Sequence, residues 1–557
     1  VAGSECEECH PLARRVEVKN TWLDKAIAWV DPDRGVVRMR NRTTLALAGG
    51  YNGARKDKRA FEEWSVTDGD ADADIIGDLP ELRERCRDLT RNNPLAAGAL
   101  NTKVTNIVGT GLRVKSRINS DHLGITQEQA TTFEGAAERE FKLWAKSIEC
   151  DLNRKLTFNQ MQALALRSVY ENGDTFALLP FKERPGGPFG TKVQLVEADR
   201  VSNPDYSADT AKIVAGIEKD EDGAPHLAFI SNQHPGSKPG VIDDMKWQPV
   251  KFFSDTGRPR VLHVFHHLRI GQTRGVPDLA PVIELFKQLG RYTESELMAA
   301  VVSGMFTVFV TTEDGEGDLS NLMPGVTEGS SGKDEPYKLG PAAIVGLSEN
   351  ESISTANPGR PNDKFDPFVL AILRQIGVAL ELPYEILIKH FTASYSASRA
   401  ALLEAWRMFK TRRQWFAAAF CQPIYEAVIT EAISRGRIAA PGFLTDETIR
   451  AMYLNTIWTG DAPGQLDPLK ESNAARGRIE GNLSTEERET MEITGADWEL
   501  DQRQRTRERQ RHKQDGTTQQ PATAGFLMPE QKEETEDDSD EGDEKEKAEQ
   551  EENSNAQ

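Results

Sequence analysis

Four stretches of this chain carry residue types whose spacing could do chemistry. The first, Gly109-Thr-Gly-Leu-Arg-Val-Lys-Ser116, is close to the phosphate-binding loop Gly-x4-Gly-Lys-Ser. In such a loop successive amides point at phosphate, and the second glycine lets the backbone turn. Here that position is Val114, whose Cβ blocks the turn, so a helix end running into a strand is expected instead. The second stretch sets Asp70, Asp72, Asp74 and Glu81 at the ligand positions of a calcium loop. The glycine that its sharp turn requires is Ile75, and Pro80 precedes the glutamate; a solvated acidic loop is the expectation. The third, Cys6-Glu-Glu-Cys9-His10, spells a haem-attachment motif. It lacks the export signal which that chemistry requires and, as a metal half-site, a second Cys/His pair. The fourth is His263, His266 and His267, on and after an expected strand, with no carboxylate or cysteine cluster beside them in sequence. Neither Gly-x-Ser-x-Gly nor His-Glu-x-x-His occurs. The sequence therefore predicts no catalytic residue, no metal site and no cofactor.

The elements that would position any site come from a chain of 557 residues, enough for two to four structural units. Its composition, 28% charged and 38% hydrophobic, is that of an ordinary soluble protein. The most apolar stretch, Leu297 to Val310, is interrupted by Ser303 and Gly304, which argues against a transmembrane helix. No basic segment followed by an apolar one opens the chain, so secretion is not expected, and Val1 in place of methionine suggests processing or an alternative start. Five cysteines, an odd number, fit a reducing compartment better than a disulfide framework. The net charge of −20 is unevenly spread. Pro529 to Gln557 holds 14 Asp/Glu against 3 Lys and nothing apolar but alanine, the composition of a disordered tail. Just before it, Arg503, Arg505, Arg507, Arg509 and Arg511 stand at every second position. This spacing reads as a solvated charged surface in preference to a nucleic-acid patch.

Along the chain, residues 1–80 read as irregular apart from a short amphipathic helix at Trp22–Trp29. Helices are expected from Pro80, from Pro94 to Val108, from Thr126 to Ser147 (Phe133, Ala137, Phe141 and Trp144 in phase) and from Phe158 to Glu171. Strands follow at Thr175–Leu179, Lys192–Val196, Ile213–Glu218, His226–Ile230 and Val261–Phe265, giving an α+β unit. Asp278 is an expected N-cap for a helix reaching Gly304, followed by strands at Met305–Thr312 and Ala342–Leu347. A helix over Phe365–Leu380 and a very long one over Ser396–Arg435, kinked at Pro423, complete the pattern. A helix, a small β insertion, a helix, a loop and a long kinked helix are not an arrangement that a compact enzyme core needs.

At this point the residues carry a family resemblance. Arg83-x-Arg85-x-Arg87-Asp88-Leu89-x-Arg91-Asn92-Asn93-Pro94-x-Ala96-x-Gly98-Ala99 and Asn106-Ile-Val-Gly109-Thr-Gly111-Leu112 resemble the opening of lambda-type bacteriophage portal proteins. So do His263-Val-Phe265, Gly271-Gln272-x-Arg274-Gly275-Val276-Pro277, Phe365-x-x-Phe368, Leu373-Arg374-x-Ile376 and Leu380-x-x-Pro383-Tyr384-Glu385. Tyr395-Ser396-x-x-Arg399-Ala400, Trp458, Asp467-Pro468, Glu471 to Ala474 and Asp497-Trp498 complete an ordered set over residues 80–500. Each motif is weak alone; the order is specific. The family usually reads Asn-Tyr-Ser-Ser where this chain has Ser394-Tyr395-Ser396-Ala397.

The resemblance implies a portal fold: wing, stem helices, a small β-containing clip and a helical crown, assembled as a ring. The segments it implies are an N-terminal arm at 1–79, wing at 80–276 and stem helices at 277–303 and 364–380. Around these it implies a clip at 304–363, a tunnel loop and kinked wing helix at 381–463, crown at 464–515 and the acidic tail at 516–557. It further implies a homododecamer at one capsid vertex, a conduit for double-stranded DNA during packaging and ejection. The implied partners are the terminase large subunit, a head–tail connector or adaptor, and the major capsid and scaffold proteins. The location is the virion after assembly in the host cytoplasm. Within that plan the segment Pro383–Ser398 is expected to be a mobile loop facing DNA, with Lys389, His390, Phe391 and Thr392 at its tip and Lys287 and Arg291 on the stem surface. Acidity suits a conduit, because DNA carries about one negative charge per 1.7 Å of axis and a strongly basic channel would hold it too tightly to slide. The competing reading is a terminase-like ATPase or nuclease of the same machine, which needs the phosphate loop that Val114 interrupts. A head–tail adaptor would be far shorter.

Overall fold

The computed structural model describes residues 21–47, 59, 63–66, 68–237, 245–304, 308–312, 351–355, 364–391, 394–464 and 467–515. The Cys6/Cys9/His10 motif, the expected strand at 342–347, most of the expected clip, Thr392 and the acidic tail lie outside the described residues. The chain divides into two units, 1–70 and 71–557.

In the first unit, α1 (Trp22–Val30) and α2 (Pro32–Leu47) form a helical pair. Thr21 and Asp24 cap α1 reciprocally, and the buried Asp24 carboxylate also accepts from Arg38 Nε at 2.9 Å. The expectation of irregular structure missed α2. Its turns are rich in arginine and lack an apolar stripe, but Pro32 at the start presets the helical φ.

The second unit opens with α3 (Ala71–Ile75), α4 (Leu79–Asn92) and α5 (Pro94–Ile107), where Asn93 Oδ1 caps α5 by accepting from the amides of Leu95 and Ala96. Strand β1 (Arg113–Ser116), the short α6 (Ser120–Leu123), α7 (Gln127–Lys146) and α8 (Phe158–Asn172) follow. Phe133, Ala137, Phe141 and Trp144 of α7 are buried together, as their spacing predicts. Next come β2 (Asp174–Leu178), β3 (Gln194–Val196), β4 (Ile213–Val214), β5 (Ile217–Lys219), β6 (Pro225–Ser231), β7 (Trp247–Lys251) and β8 (Val261–Phe265). They make two antiparallel sheets, ordered β3-β2-β8 and β4-β5-β6-β7. The expected single strand over 213–218 is instead a hairpin, because Ala215 and Gly216 both take positive φ and reverse the chain. Strand β7 was not foreseen, since Pro249 and its charged neighbours mask the alternation.

A 3-10 turn (Ala280–Val282) leads into α9 (Ile283–Gly304). The expected N-cap, Asp278, does something else: its carboxylate pairs with the buried Lys103 ammonium of α5 at 2.5 Å. Strand β9 (Val308–Thr312) pairs antiparallel with β10 (Glu351–Thr355). Then come α10 (Phe365–Ala379), α11 (Tyr384–Ile388) and α12 (Tyr395–Phe416), whose N-cap Ser394 accepts from Ala397 N. A π-helical turn (Ala417–Cys421) joins α12 to α13 (Gln422–Ser434). The proline of this long helix therefore meets a widened turn, whose altered register accommodates the missing N–H donor. The rest comprises α14 (Glu447–Tyr453), β11 (Thr456–Thr459, antiparallel to β1), α15 (Pro468–Glu480), α16 (Glu486–Thr494) and α17 (Trp498–Gln514).

The main core gathers α4, α5, α7, α8, the start of α9, α10, α11, α12 and α13 around Leu100, Phe141, Trp144, Phe158, Phe286, Phe416 and Phe420. A smaller one under the four-stranded sheet holds Phe176, Val196, Ile217, Ala228 and Phe252.

Candidate nucleic-acid interface

The phosphate-loop look-alike is fully engaged by the chain itself. Gly109 and Gly111, at φ +57° and +115°, turn the backbone out of α5 toward β1. Thr110 N and Oγ1 both donate to Asp461 at 2.8 Å, and Leu112 N donates to Gln162 Oε1 at 2.6 Å. Carboxylate and amide side chains thus take the donors that a phosphate would need. Beneath them Arg413 donates from Nε to Ile107 O (2.9 Å) and from Nη2 to the carbonyls of Asn106 (2.8 Å) and Asp461 (3.0 Å), satisfying the end of α5. The residue at the missing glycine, Val114, sits in β1 opposite Trp458.

The acidic positions 72, 74 and 81 disperse. Asp72 accepts from Thr273 N and Oγ1 and pairs with Lys219; Asp74 pairs with Arg269, and Glu81 with Arg85. Among the described residues no group of three or more His, Cys, Asp or Glu could hold a metal ion.

His263 belongs to a buried charge cluster that ties α4 to the sheets. Asp174 at the head of β2 is fully buried and accepts from Arg83 Nη2 (2.9 Å), Arg274 Nε (2.6 Å) and His263 Nε2 (3.1 Å). Burial opposes its charge, but the Arg274 and Arg83 guanidiniums and the His263 hydrogen bond outweigh that and hold it far below the usual carboxylate range. Burial likewise lowers His263, against the pull of Asp174, and lowers Arg83. His263 stacks on Phe176 at 4.1 Å, and Arg274 lies over the same ring. Arg274 also donates to the carbonyls of Val201, Ala215 and Ala198. These are structural ties between elements. His266 stands apart, edge-on to Trp415 on α12.

The residues expected to face DNA are placed by α9, α10 and α11. Val282, Phe286 and Leu289 turn one face of the α9 region into the core, while Tyr292 stacks on Phe365 and meets Phe368 edge-on across to α10. Lys287 and Arg291, one turn apart, are exposed on the opposite side. The expected loop at 383–398 is not irregular throughout: α11 occupies its first part. Ile386 and Leu387 are buried, which pins that turn to the core. Lys389 closes it in the left-handed region (φ 56°), with Lys389 N and His390 N both donating to Glu385 O. The reversal turns the next side chains outward, so Lys389, His390 and Phe391 are all exposed. Among the described residues Lys389 has no ion-pair partner. Lys389 and Phe391 also border a groove of about 760 Å³, whose other walls include Trp406 and Phe409 of α12 and Arg478 of α15.

Set beside known proteins, residues 57–413 match the family model described as phage portal protein, lambda family. The chain belongs to this family. Its similarity extends to the portal protein B of Escherichia phage lambda, 27% identical over 471 residues, covering 80% of this chain and 87% of that one. The portal protein of Escherichia phage N15 is likewise 27% identical, covering 80% of this chain and 88% of its own. A probable portal protein of Halomonas phage phiHAP-1 is 23% identical over 74% of this chain and 77% of its own. Among solved structures, a chain from the virion of a native gene transfer agent particle matches with a TM-score of 0.36 and 12% identity. That match covers 68% of this chain and 93% of that one. Portal proteins of this family are generally structural components of the virion, and this portal chain is one of them.

Three features of this portal chain were not read from the sequence. Asp461 lies some 350 residues from the Thr110 it bonds, and Asp174, although next to a glycine that ends a helix, carries no local sign of two arginine partners. The short α11 hides because its five residues are fewer than two helical turns. Arg83 of α4 is buried in phase with Cys86 and Leu89, while Leu82 is only half-buried, and an arginine so placed must find a buried anion.

Proposed function

We propose that twelve copies of this chain form a ring at one vertex of the capsid and that double-stranded DNA passes through its centre during packaging and ejection. The terminase large subunit docks on the ring during packaging and the head–tail connector afterwards. The major capsid and scaffold proteins surround it, and assembly takes place in the host cytoplasm. Membership of the lambda portal family carries this reading.

The geometry supports it in two ways. Leu297, Met298 and Val301 on α9, with Phe368 and Val378 on α10, are large apolar side chains left exposed by a single chain, and packing against neighbours in a ring would cover them. Lys389, anchored through α11 and without an ion pair among the described residues, gives each subunit a cation at the tunnel tip. Twelve of them make a single belt that meets phosphates without clamping them, and Lys287 and Arg291 face the channel from the stem. Phosphoryl transfer by the chain finds no support, because Asp461 and Gln162 take the amides that a nucleotide would require. Replacing Lys389 and His390 together by serine tests the assignment. Rings of normal size with an altered packaging rate, or altered retention of packaged DNA, are expected; normal packaging and retention in normal rings would contradict it.

A further inference from the structure

Helix α17 is 17 residues long, about 25 Å, and every residue from Arg503 to its end is exposed. At 3.6 residues per turn its cations resolve into two stripes. Arg503, Arg507 and Arg511 follow one another at i, i+4 and i+8; Arg505, Arg509 and Lys513 do the same on the opposite side. The solvated charged surface of α17 is thus two separate basic rails. Arg503 reaches Glu499 at 4.0 Å, whereas Arg505, Arg507, Arg509, Arg511 and Lys513 have no ion pair among the described residues. Four like-charge pairs at i, i+4 (Arg503/Arg507, Arg505/Arg509, Arg507/Arg511 and Arg509/Lys513) repel along the rails. Such a helix is stabilised by a polyanion that can reach both sides.

We propose that the occupant is the chain's own acidic segment, Pro529–Gln557, folded back on α17 in cis. Charge complementarity is the first argument: 14 carboxylates against 3 lysines meet six cations. Chain length is the second. Residues 516–528 can span up to about 45 Å, and the 29 residues beyond them up to about 95 Å, so the segment can run along one rail and return along the other. Tethering is the third, since a linker this short presents its cargo at an effective concentration in the mM range, where even weak pairing is substantially populated. The consequence is a basic helix screened from other polyanions, duplex DNA among them. The inference does not depend on ring formation.

Carbodiimide treatment of the full chain tests it directly. The reagent joins a carboxylate carbon to a lysine Nζ in contact as an amide and departs as its urea, carrying the lost oxygen. Lys513 is the single lysine of α17. Cross-links from Lys513 to carboxylates of 529–557, suppressed by high salt, are expected. In a mixture of isotope-labelled and unlabelled chains they should stay within one chain. Absence of these links, or links only between chains, would overturn the proposal, the latter making a second copy the occupant. A second arm measures binding of a 30-base-pair duplex at low salt. The chain ending at Met528 should bind at least about tenfold more tightly than the full chain, with a steeper salt dependence. Changing the five arginines of α17 to glutamine in the shortened chain should abolish the gain. An unchanged affinity on shortening, or a gain that survives the arginine changes, would refute it.

Discussion

Changing Asp174 to asparagine keeps the shape of the side chain and removes one charge from a deeply buried polar cluster. The asparagine oxygen can still accept one hydrogen bond, and Arg83 still faces Asp199 at 3.1 Å. Arg274, however, is left with only the carbonyls of Val201, Ala215 and Ala198, and it is 2% exposed. Removing one partner of a buried ion pair typically costs about 3–5 kcal/mol, because the other charge stays buried without compensation. With unfolding entropy near 2.1 cal/mol/K per residue, a cooperative unit of roughly 400 residues has about 0.8 kcal/mol/K, so Tm should fall by about 4–6 °C. Calorimetry at neutral pH on Asp174→Asn would measure this. Asp199→Asn, whose carboxylate lies nearer the surface, should lower Tm by less. If Asp174→Asn melted within about 1 °C of the parent chain, the cluster would not be the anchor of α4 to the sheets that the hydrogen bonds describe.

Phe409→Ala on α12 should cost about 3–5 kcal/mol and yield unstable or aggregated subunits, since the ring is buried beside Trp406; stable rings defective only in packaging would make it a DNA contact. Gly111→Ala should destabilise by about 1–3 kcal/mol or more, because φ is +115° and the new Cβ would meet the Asn159 side chain; an unchanged denaturant midpoint would show that this turn can relax. Burial lowers His263 below 6.5 in the folded chain, so in that window the unfolded chain binds a proton that the native one does not, and stability falls as pH drops through it. His263→Gln should accordingly flatten the Tm profile between pH 7 and pH 5.5; an unaltered slope would assign the effect to other groups.

Much of the fold is legible in the sequence wherever the period is long and clean. The apolar phase of α7, the proline starts of α4 and α5, and the alternation of β2 and β8 all translate directly into elements. Short elements such as α11 and β7 escape because too few residues establish a period before the chain turns, and the 16-residue α2 escapes because its arginine-rich turns carry no apolar stripe. The hairpin at Ala215-Gly216 escapes for a different reason: positive φ at an alanine is imposed by tertiary context and leaves no mark in composition. The exposed character of Lys389 and His390 follows from a left-handed cap that their types do not announce, although their position between two helices does. The look-alike phosphate loop shows the reverse case. A single residue, Val114, was enough to reject it, while the partner that occupies its amides, Asp461, arrives from the far end of the chain.

The central claim is that this chain builds a portal ring. Negative-stain images of the purified full chain, classified by view, test it most directly. The account predicts end-on views of a closed ring with a central hole and twelve repeating densities. Monodisperse monomers or compact particles without a channel, under conditions where the chain is folded, would contradict it.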